Sequence, residues 1–189
     1  MEYKKTIEEA LKILRSGGII LYPTDTIWGL GCDATNEEAV KKLMALKGRP
    51  KGKGFVIIVD LAARIPSYVV DIPDMAWDLI ELSDKPLTIV FDMGKNLAPS
   101  VYGENGSIAI RVTQSRFCQQ LLSRFGRPLV STSANLCGMP YPMSFNDINA
   151  ELKAKADFVV PQGLDADSTG IPSSIIALGK GNLVKVIRD

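Results

Sequence analysis

The sequence predicts a single α/β domain in which helices cover the faces of a twisted, mixed, open sheet. Two observations carry this. Apolar runs of strand length alternate with segments of helical period along all 189 residues. No internal repeat, low-complexity linker or break in composition divides the chain. With 46% hydrophobic and 23% charged residues, the chain has the composition of a soluble globular protein. At this length folding buries about 70% of the unfolded surface, so no disulfide or metal is needed to hold the fold together.

The elements follow in order. Thr6-Ile7-Glu8-Glu9 reads as a capping box, after which Ile7, Ala10, Leu11 and Leu14 recur at helical spacing until Gly17-Gly18. Residues 19–22 form a short apolar strand that Pro23 breaks, and 22–31 read as a loop. A second helix is expected over 36–47, with Val40, Leu43 and Met44 on one face and Gly48 as its stop. Residues 55–59 are continuously apolar, as in a strand buried on both faces. Two short helices are expected within 61–84, broken near Ile72-Pro73. Strands are expected at 87–91 and 107–112. Ser115 then caps a helix with Phe117, Leu121, Leu122 and Phe125 inside and Gly126 at its end. Further strands are expected at 129–131, 158–160, 174–178 and 184–187, with a helix near 145–153.

Composition excludes several chemistries. The chain has no histidine, so it holds no Ser-His-Asp or Cys-His pair, no histidine-ligated metal and no imidazole base. Cys32, Cys118 and Cys137 are dispersed, show no zinc spacing and read as buried or neutral thiols. The N-terminus has no apolar signal region, and no apolar run approaches about 18 residues. A cytoplasmic protein that does not engage the membrane is expected.

The net charge is only +1, but it is unevenly spread. Residues 40–54 contain Lys41, Lys42, Lys47, Arg49, Lys51 and Lys53 without an acid. Residues 105–146 contain Arg111, Arg116, Arg124 and Arg127, again without one. Carboxylates gather instead at Asp71, Asp74, Asp78, Glu81 and Asp84. Such segregation predicts one positive region suited to an anionic ligand, although Lys41 and Lys42 also fit the solvated face of a helix.

Three segments look chemical. PTDTIWGLG at 23–31 sets Thr24 and Thr26 around a carboxylate, with Gly29 and Gly31 allowing close backbone approach. KGRPKGKG at 47–54 gathers cationic donors at a helix end, as phosphate recognition requires, yet it is no P-loop. STSANLCG at 131–138 follows an apolar strand, where open α/β sheets place ligands. Read singly, each is also compatible with an ordinary turn.

Taken together, the three segments resemble the YrdC/Sua5 family, the threonylcarbamoyl-adenylate synthases that begin synthesis of N6-threonylcarbamoyladenosine in tRNA. PTDTIWGLG stands where that family has P-T-D/E-T-x-Y/W-G-L. Lys47-Gly48-Arg49 matches its KxR element, and Ser133-Ala134-Asn135 its SxN element. SIAIRV, PLVSTSAN and IPSSIIAL fall in the family's order, so the resemblance spans almost the whole chain. It implies a YrdC-like fold with a concave, positively charged cavity. The implied reaction condenses L-threonine, bicarbonate or CO2, and ATP into threonylcarbamoyl-AMP and pyrophosphate. Threonine's carbamate would attack the α-phosphorus, so no protein nucleophile is required.

By the same resemblance Lys47 and Arg49 are the catalytic pair and contact the triphosphate. Ser133 and Asn135 complete the nucleotide site, with Lys51, Ser107, Tyr141 and Arg188 as further nucleotide contacts. Thr24, Arg111, Ser131 and Ser173 hold threonine, with Arg111 on its carboxylate. No dedicated metal site is expected, and Mg2+ arrives with ATP. tRNA or double-stranded RNA and downstream transfer proteins are the implied partners. The chain departs from the family at Ser83-Asp84-Lys85-Pro86-Leu87-Thr88, where many relatives have W-P-G-P-L-T. It also has Gly54 where many have proline, and Trp28 for the commoner tyrosine. With no further domain before Asp189, it resembles the single-domain type. The competing expectations are an RNA-binding paralogue without synthase activity and a carbamoyl transferase of another pathway. Because Lys47 and Arg49 flank Gly48 at a helix end, truncating either is expected to cost little stability.

Overall fold

The structure is a computed structural model that describes residues 2–50, 52–179 and 183–189. Nine strands run through these residues: β1 (Ile20–Tyr22), β2 (Gly29–Asp33), β3 (Val56–Val59), β4 (Leu87–Phe91), β5 (Ile108–Val112), β6 (Leu129–Ser133), β7 (Phe158–Val159), β8 (Ser174–Gly179) and β9 (Leu183–Arg188). They form one sheet in the order β7-β1-β2-β6-β3-β5-β4-β8-β9. The pairs β1–β7, β3–β5 and β4–β8 are parallel and the other neighbours antiparallel. The mixed sheet expected from the sequence is therefore present.

The helices are α1 (Glu2–Arg15), α2 (Glu37–Lys47), α3 (Met75–Leu82), α4 (Arg116–Phe125) and α5 (Ala150–Lys155). The apolar stripes read from the sequence face the core: Ile7, Ala10, Leu11 and Leu14 of α1, Val40 and Leu43 of α2, and Phe117, Leu121, Leu122 and Phe125 of α4 are buried, while Met44 of α2 is only partly buried. The stop read at Gly48 and the cap read at Ser115 are present: Gly48 closes α2 at φ 62°, and Ser115 accepts from the Cys118 amide. Asn36, at the expected start of α2, accepts from the Glu38 and Ala39 amides.

Four expectations need correction. Helix α1 starts at Glu2, not at a cap on Thr6, which is buried inside the helix. The Tyr3 ring meets Phe117 edge-on at 6.1 Å and anchors that extra turn to α4. Second, the loop read over 22–31 contains the start of strand β2. Its glycines disguised it, because a Cβ on Gly31 would lie 2.7 Å from both the Tyr22 ring and the Val130 carbonyl, so packing excludes any larger residue. Third, β6 continues to Ser133, since Ser133 pairs with Gly29. Fourth, the helix expected near 145–153 is a 3-10 turn, Phe145–Asp147, followed by the separate α5, each with its own cap (Ser144 and Asn149).

The sheet places one row of side chains on a common face. Arg111 is the Cα partner of Thr88, Thr88 of Ile175, and Ile175 of Arg188, across β5, β4, β8 and β9. An irregularity between Ile175 and Ile176 leaves Ile187 as the extra residue of β9. Such a bulge re-aims the side chains beyond it, and here it puts Arg188 beside Ile175.

Candidate active site

That row forms part of the floor of a cavity of about 310 Å³. Its far wall comes from the loop between β1 and β2 and from Gly29 at the start of β2. A Cβ on Gly29 would approach the Thr132 carbonyl to 3.2 Å, so glycine lets β6 lie against the loop. Four cations, Arg49, Lys53, Arg111 and Arg188, face the cavity, and no carboxylate does among the described lining residues.

Arg111 is the most constrained of the four. It is 5% exposed, and its Nη2 lies 3.3 Å from Asp25 Oδ1. Asp25 also accepts from Thr113 Oγ1 at 3.2 Å and from the Gln114 amide at 3.1 Å. Arg111 Nη1 donates to Thr26 Oγ1 at 2.9 Å. Its Nε is buried and has no hydrogen-bond partner among the described residues. An orphaned buried donor on a fixed guanidinium is what an incoming carboxylate would satisfy.

The loop holding this group is itself tied down. Thr24 Oγ1 donates to the Ile27 carbonyl at 2.8 Å and accepts from the Thr26 amide at 3.1 Å. The Thr26 carbonyl accepts from the Gly170 amide and Ser168 Oγ, at 2.8 and 2.7 Å. Trp28 Nε1 donates to Asp165 Oδ2 at 3.2 Å, and its ring meets Phe145 at 4.8 Å. Residues 165–170 thus strap the loop from outside. Trp28 thus gives the loop both an aromatic face and a donor to the strap.

Of the residues singled out from the sequence, Thr24, Arg49, Arg111, Ser131, Ser133, Tyr141, Ser173 and Arg188 all line the cavity. Arg49 stacks on Phe55 at 4.4 Å and donates to the carbonyls of Lys53 and Gly54. Arg188 donates twice to the Ser173 carbonyl, at 3.0 and 2.7 Å. Burial lowers the pKa of Arg49 and of Arg188, and neighbouring Arg111 pushes Arg188 the same way.

Lys47, Ser107 and Asn135 do not line it. Lys47 is 3% exposed and donates through Nζ to the carbonyls of Ser133 and Asn135 at 2.5 and 2.6 Å. Burial first, and the Arg49 charge second, push its pKa down to about 8. Lys47 is therefore a buried tie between the KxR and SxN segments, which corrects the expectation that its truncation costs little stability. Asn135 accepts from Ser133 Oγ at 2.5 Å and faces a neighbouring cleft of about 400 Å³, which shares Tyr141 with the cavity. Ser107 lies in the turn before β5, where its carbonyl accepts from the Gly103 amide. Lys51 lies outside the described residues.

The positive region is narrower than the charge pattern suggested. Lys41 pairs with Glu37 and Glu38, Lys42 with Asp157, and Arg127 with Asp33. Cys32 and Cys118 are buried as expected, and burial pushes the Cys118 thiol up to about 12. Cys137 is a free, exposed cysteine. Thr26, Lys53 and Thr88, to which the sequence assigns no ligand, also line the cavity. Thr88 had a signal: it is the lone polar residue in the apolar strand LTIVF.

A single cavity built from a PTDT loop, the KxR and SxN segments and an arginine row across a mixed sheet defines one class of protein, and the chain belongs to the Sua5/YciO/YrdC family. That family's model, described as "Telomere recombination", matches residues 12–189. The chain is 36% identical over 178 residues to the threonylcarbamoyl-AMP synthase of Pseudoalteromonas translucida, covering 93% of this chain and 94% of that one. A doubly substituted P. abyssi Sua5 superposes with a TM-score of 0.89 at 26% identity, covering all of this chain and 57% of that one. P. abyssi Sua5 in complex with L-threonine superposes at 0.80, also at 26% identity, with 94% and 52% covered. The chain thus spans little more than half the length of the Sua5 structures that it matches.

Proposed function

We propose that this protein is a threonylcarbamoyl-AMP synthase, condensing L-threonine, bicarbonate or CO2, and ATP with release of pyrophosphate. The observation that carries the reading is the orphaned Nε of Arg111, buried at a cavity that, among the described residues, is lined by four cations and no carboxylate. The name of the P. translucida relative and the threonine complex of P. abyssi Sua5 support it.

In this reading threonine's carboxylate docks on Arg111, with Thr24, Ser131 and Ser173 around it. Its neutral amine adds to CO2 (bicarbonate first losing water) and releases one N–H proton to solvent, and the carbamate oxygen then attacks the α-phosphorus in line while pyrophosphate leaves. The chain supplies position and positive charge and no nucleophile. Arg49 and Arg188 face the phosphates from the cavity. Lys47 Nζ has three N–H donors and two are engaged, so one remains for a phosphate oxygen. Ser133, Asn135, Ser107 and Tyr141 complete the nucleotide site between the cavity and the neighbouring cleft. Since no carboxylate lines the cavity among the described residues, Mg2+ would ride on the phosphate oxygens of ATP, where it neutralises charge on the leaving group.

The adenylate would serve tRNA modification in the cytoplasm through separate transfer proteins. No helix among the described residues is long and apolar enough to cross a membrane. The test is pyrophosphate release from ATP with threonine and bicarbonate each added or omitted. Release requiring both is expected. Intact ATP with both present overturns the reading and directs attention to salt-dependent RNA binding.

A further inference from the structure

The cavity contains two pairs of hydroxyls, and their protons are used differently. In the Thr24–Thr26 pair, 2.9 Å apart, the Thr24 proton goes to the Ile27 carbonyl. The bond between the two must therefore be donated by Thr26, whose oxygen also accepts from Arg111. Both protons are engaged. In the second pair, Thr88 Oγ1 and Ser173 Oγ lie 2.8 Å apart. Neither hydroxyl has another side-chain partner among the described residues. Two protons serve one bond, so one donor and several lone pairs remain unused.

These hydroxyls are enclosed. Thr88 is fully buried and Ser173 is 5% exposed, yet both line the cavity. A buried hydroxyl with an unused proton costs free energy unless a ligand completes it. Two bonds from Arg188 to its carbonyl hold Ser173 in place, and strand β4, paired on both sides by β5 and β8, holds Thr88. Thr88 is also the direct cross-strand partner of Arg111, which places their Cβ atoms about 5 Å apart.

We infer that Thr88, together with Ser173, reads the side-chain hydroxyl of the amino-acid substrate and makes the cavity selective for β-hydroxy-α-amino acids. The chemistry of the pair supports this. It can donate one proton and accept another, and a hydroxyl is the ligand group that does both. An ammonium group could only donate to it, and Arg111 already offers the carboxylate its unpartnered Nε. A carboxylate and a β-oxygen are close together in such a substrate, as the two receptor groups are on the sheet. The inference rests on the proposed placement of threonine's carboxylate at Arg111.

A site built to bond a hydroxyl rejects the isostere that lacks it far more strongly than an apolar pocket rejects one methylene. L-valine is that isostere for L-threonine. The experiment compares threonine, serine and valine by calorimetric binding and by pyrophosphate release, for the wild type, Thr88→Val, Thr88→Ser and Ser173→Ala. The wild type is expected to prefer threonine over valine by at least 100-fold and to accept serine ahead of valine. In Thr88→Val the threonine-to-valine ratio should fall at least tenfold with the KM for ATP unchanged, and Thr88→Ser should restore it. Ser173→Ala should lower the same ratio, and serves if Thr88→Val does not fold. A wild type that uses valine as well as threonine, or a ratio that survives both Thr88→Val and Ser173→Ala, overturns the inference and leaves the synthase reading intact. Tight, Thr88-dependent threonine binding without pyrophosphate release removes the synthase reading and keeps the inference. Binding neither amino acid overturns both.

Discussion

Arg111 and Arg49 face one cavity but are held in opposite ways. Arg111 is fixed by a buried carboxylate and a hydroxyl whose own partners are settled. Arg49 rests on a phenyl ring and on backbone carbonyls of its own loop, and Lys47 likewise bonds only carbonyls. The amino-acid end is therefore preorganised, with its cation aimed before any ligand arrives. At the phosphate end, neutral partners occupy donors that an anion would take over. Exchanging a carbonyl for a phosphate oxygen is favourable, because a charge-assisted bond is roughly twice as strong as a neutral one. The difference teaches that stability and binding are one function at Arg111 and separable functions at Arg49.

The largest effect follows from removing Arg111. Arg111→Leu leaves Asp25 buried with a charge and two of its three donors. Breaking a buried pair in this way costs about 3–5 kcal/mol, visible as a large drop in the urea midpoint. Threonine-dependent turnover should vanish with it. A variant as stable as the wild type would show that Asp25 does not need its partner.

Lys47→Met comes next. It keeps the apolar stem but strips the Asn135 carbonyl of its donor and the Ser133 carbonyl of one of two, at a cost of roughly 1–3 kcal/mol. Urea denaturation measures it, and an unchanged midpoint would return Lys47 to the status of a free phosphate ligand at a helix end.

The same lysine predicts a pH signature. Its pKa is pushed down to about 8 from 10.5, so between those values the unfolded chain holds a proton that the folded chain has lost. This group therefore makes stability rise with pH across that window, and it is most destabilising below about pH 8, where the buried ammonium persists. Catalysis runs the other way. If the third N–H of Lys47 serves a phosphate, kcat/KM for ATP, which reports the free enzyme, should fall above about pH 8. A profile flat to pH 10 would remove Lys47 from the phosphate site.

Much of this was legible in the sequence, and what was not has physical causes. Helices announced themselves because their stripes and caps are local: Asn36 and Gly48 for α2, Ser115 and Gly126 for α4. Strand β2 did not, because Gly31 answers to Tyr22 and Val130 and Gly29 to Thr132, neighbours that only the folded sheet brings together. The site divides similarly. Arg111 stood out as the one charge in IAIRV. Its link to Asp25 and Thr26, 86 and 85 positions away, is a product of strand order. The burial of Lys47 was hidden too, since the SxN turn that covers it lies far along the chain.

The smallest stability effect is expected at Arg49, and it separates the two ends most cleanly. Arg49→Ala removes a cation–π contact worth about 0.5–1 kcal/mol and two bonds to loop carbonyls that water can replace. The urea midpoint should barely move. Binding should respond differently, because Arg49 is one of four cations, with no carboxylate, among the described residues that line the cavity. The KM for ATP should rise at least tenfold while threonine binding, measured without nucleotide, stays at the wild-type value. Combined with Thr88→Val, the two losses should add, since one variant acts on phosphate and the other on the amino acid. If Arg49→Ala instead weakened threonine binding alone, the phosphates would lie at the Arg111 end, and the assignment of the two ends would have to be exchanged.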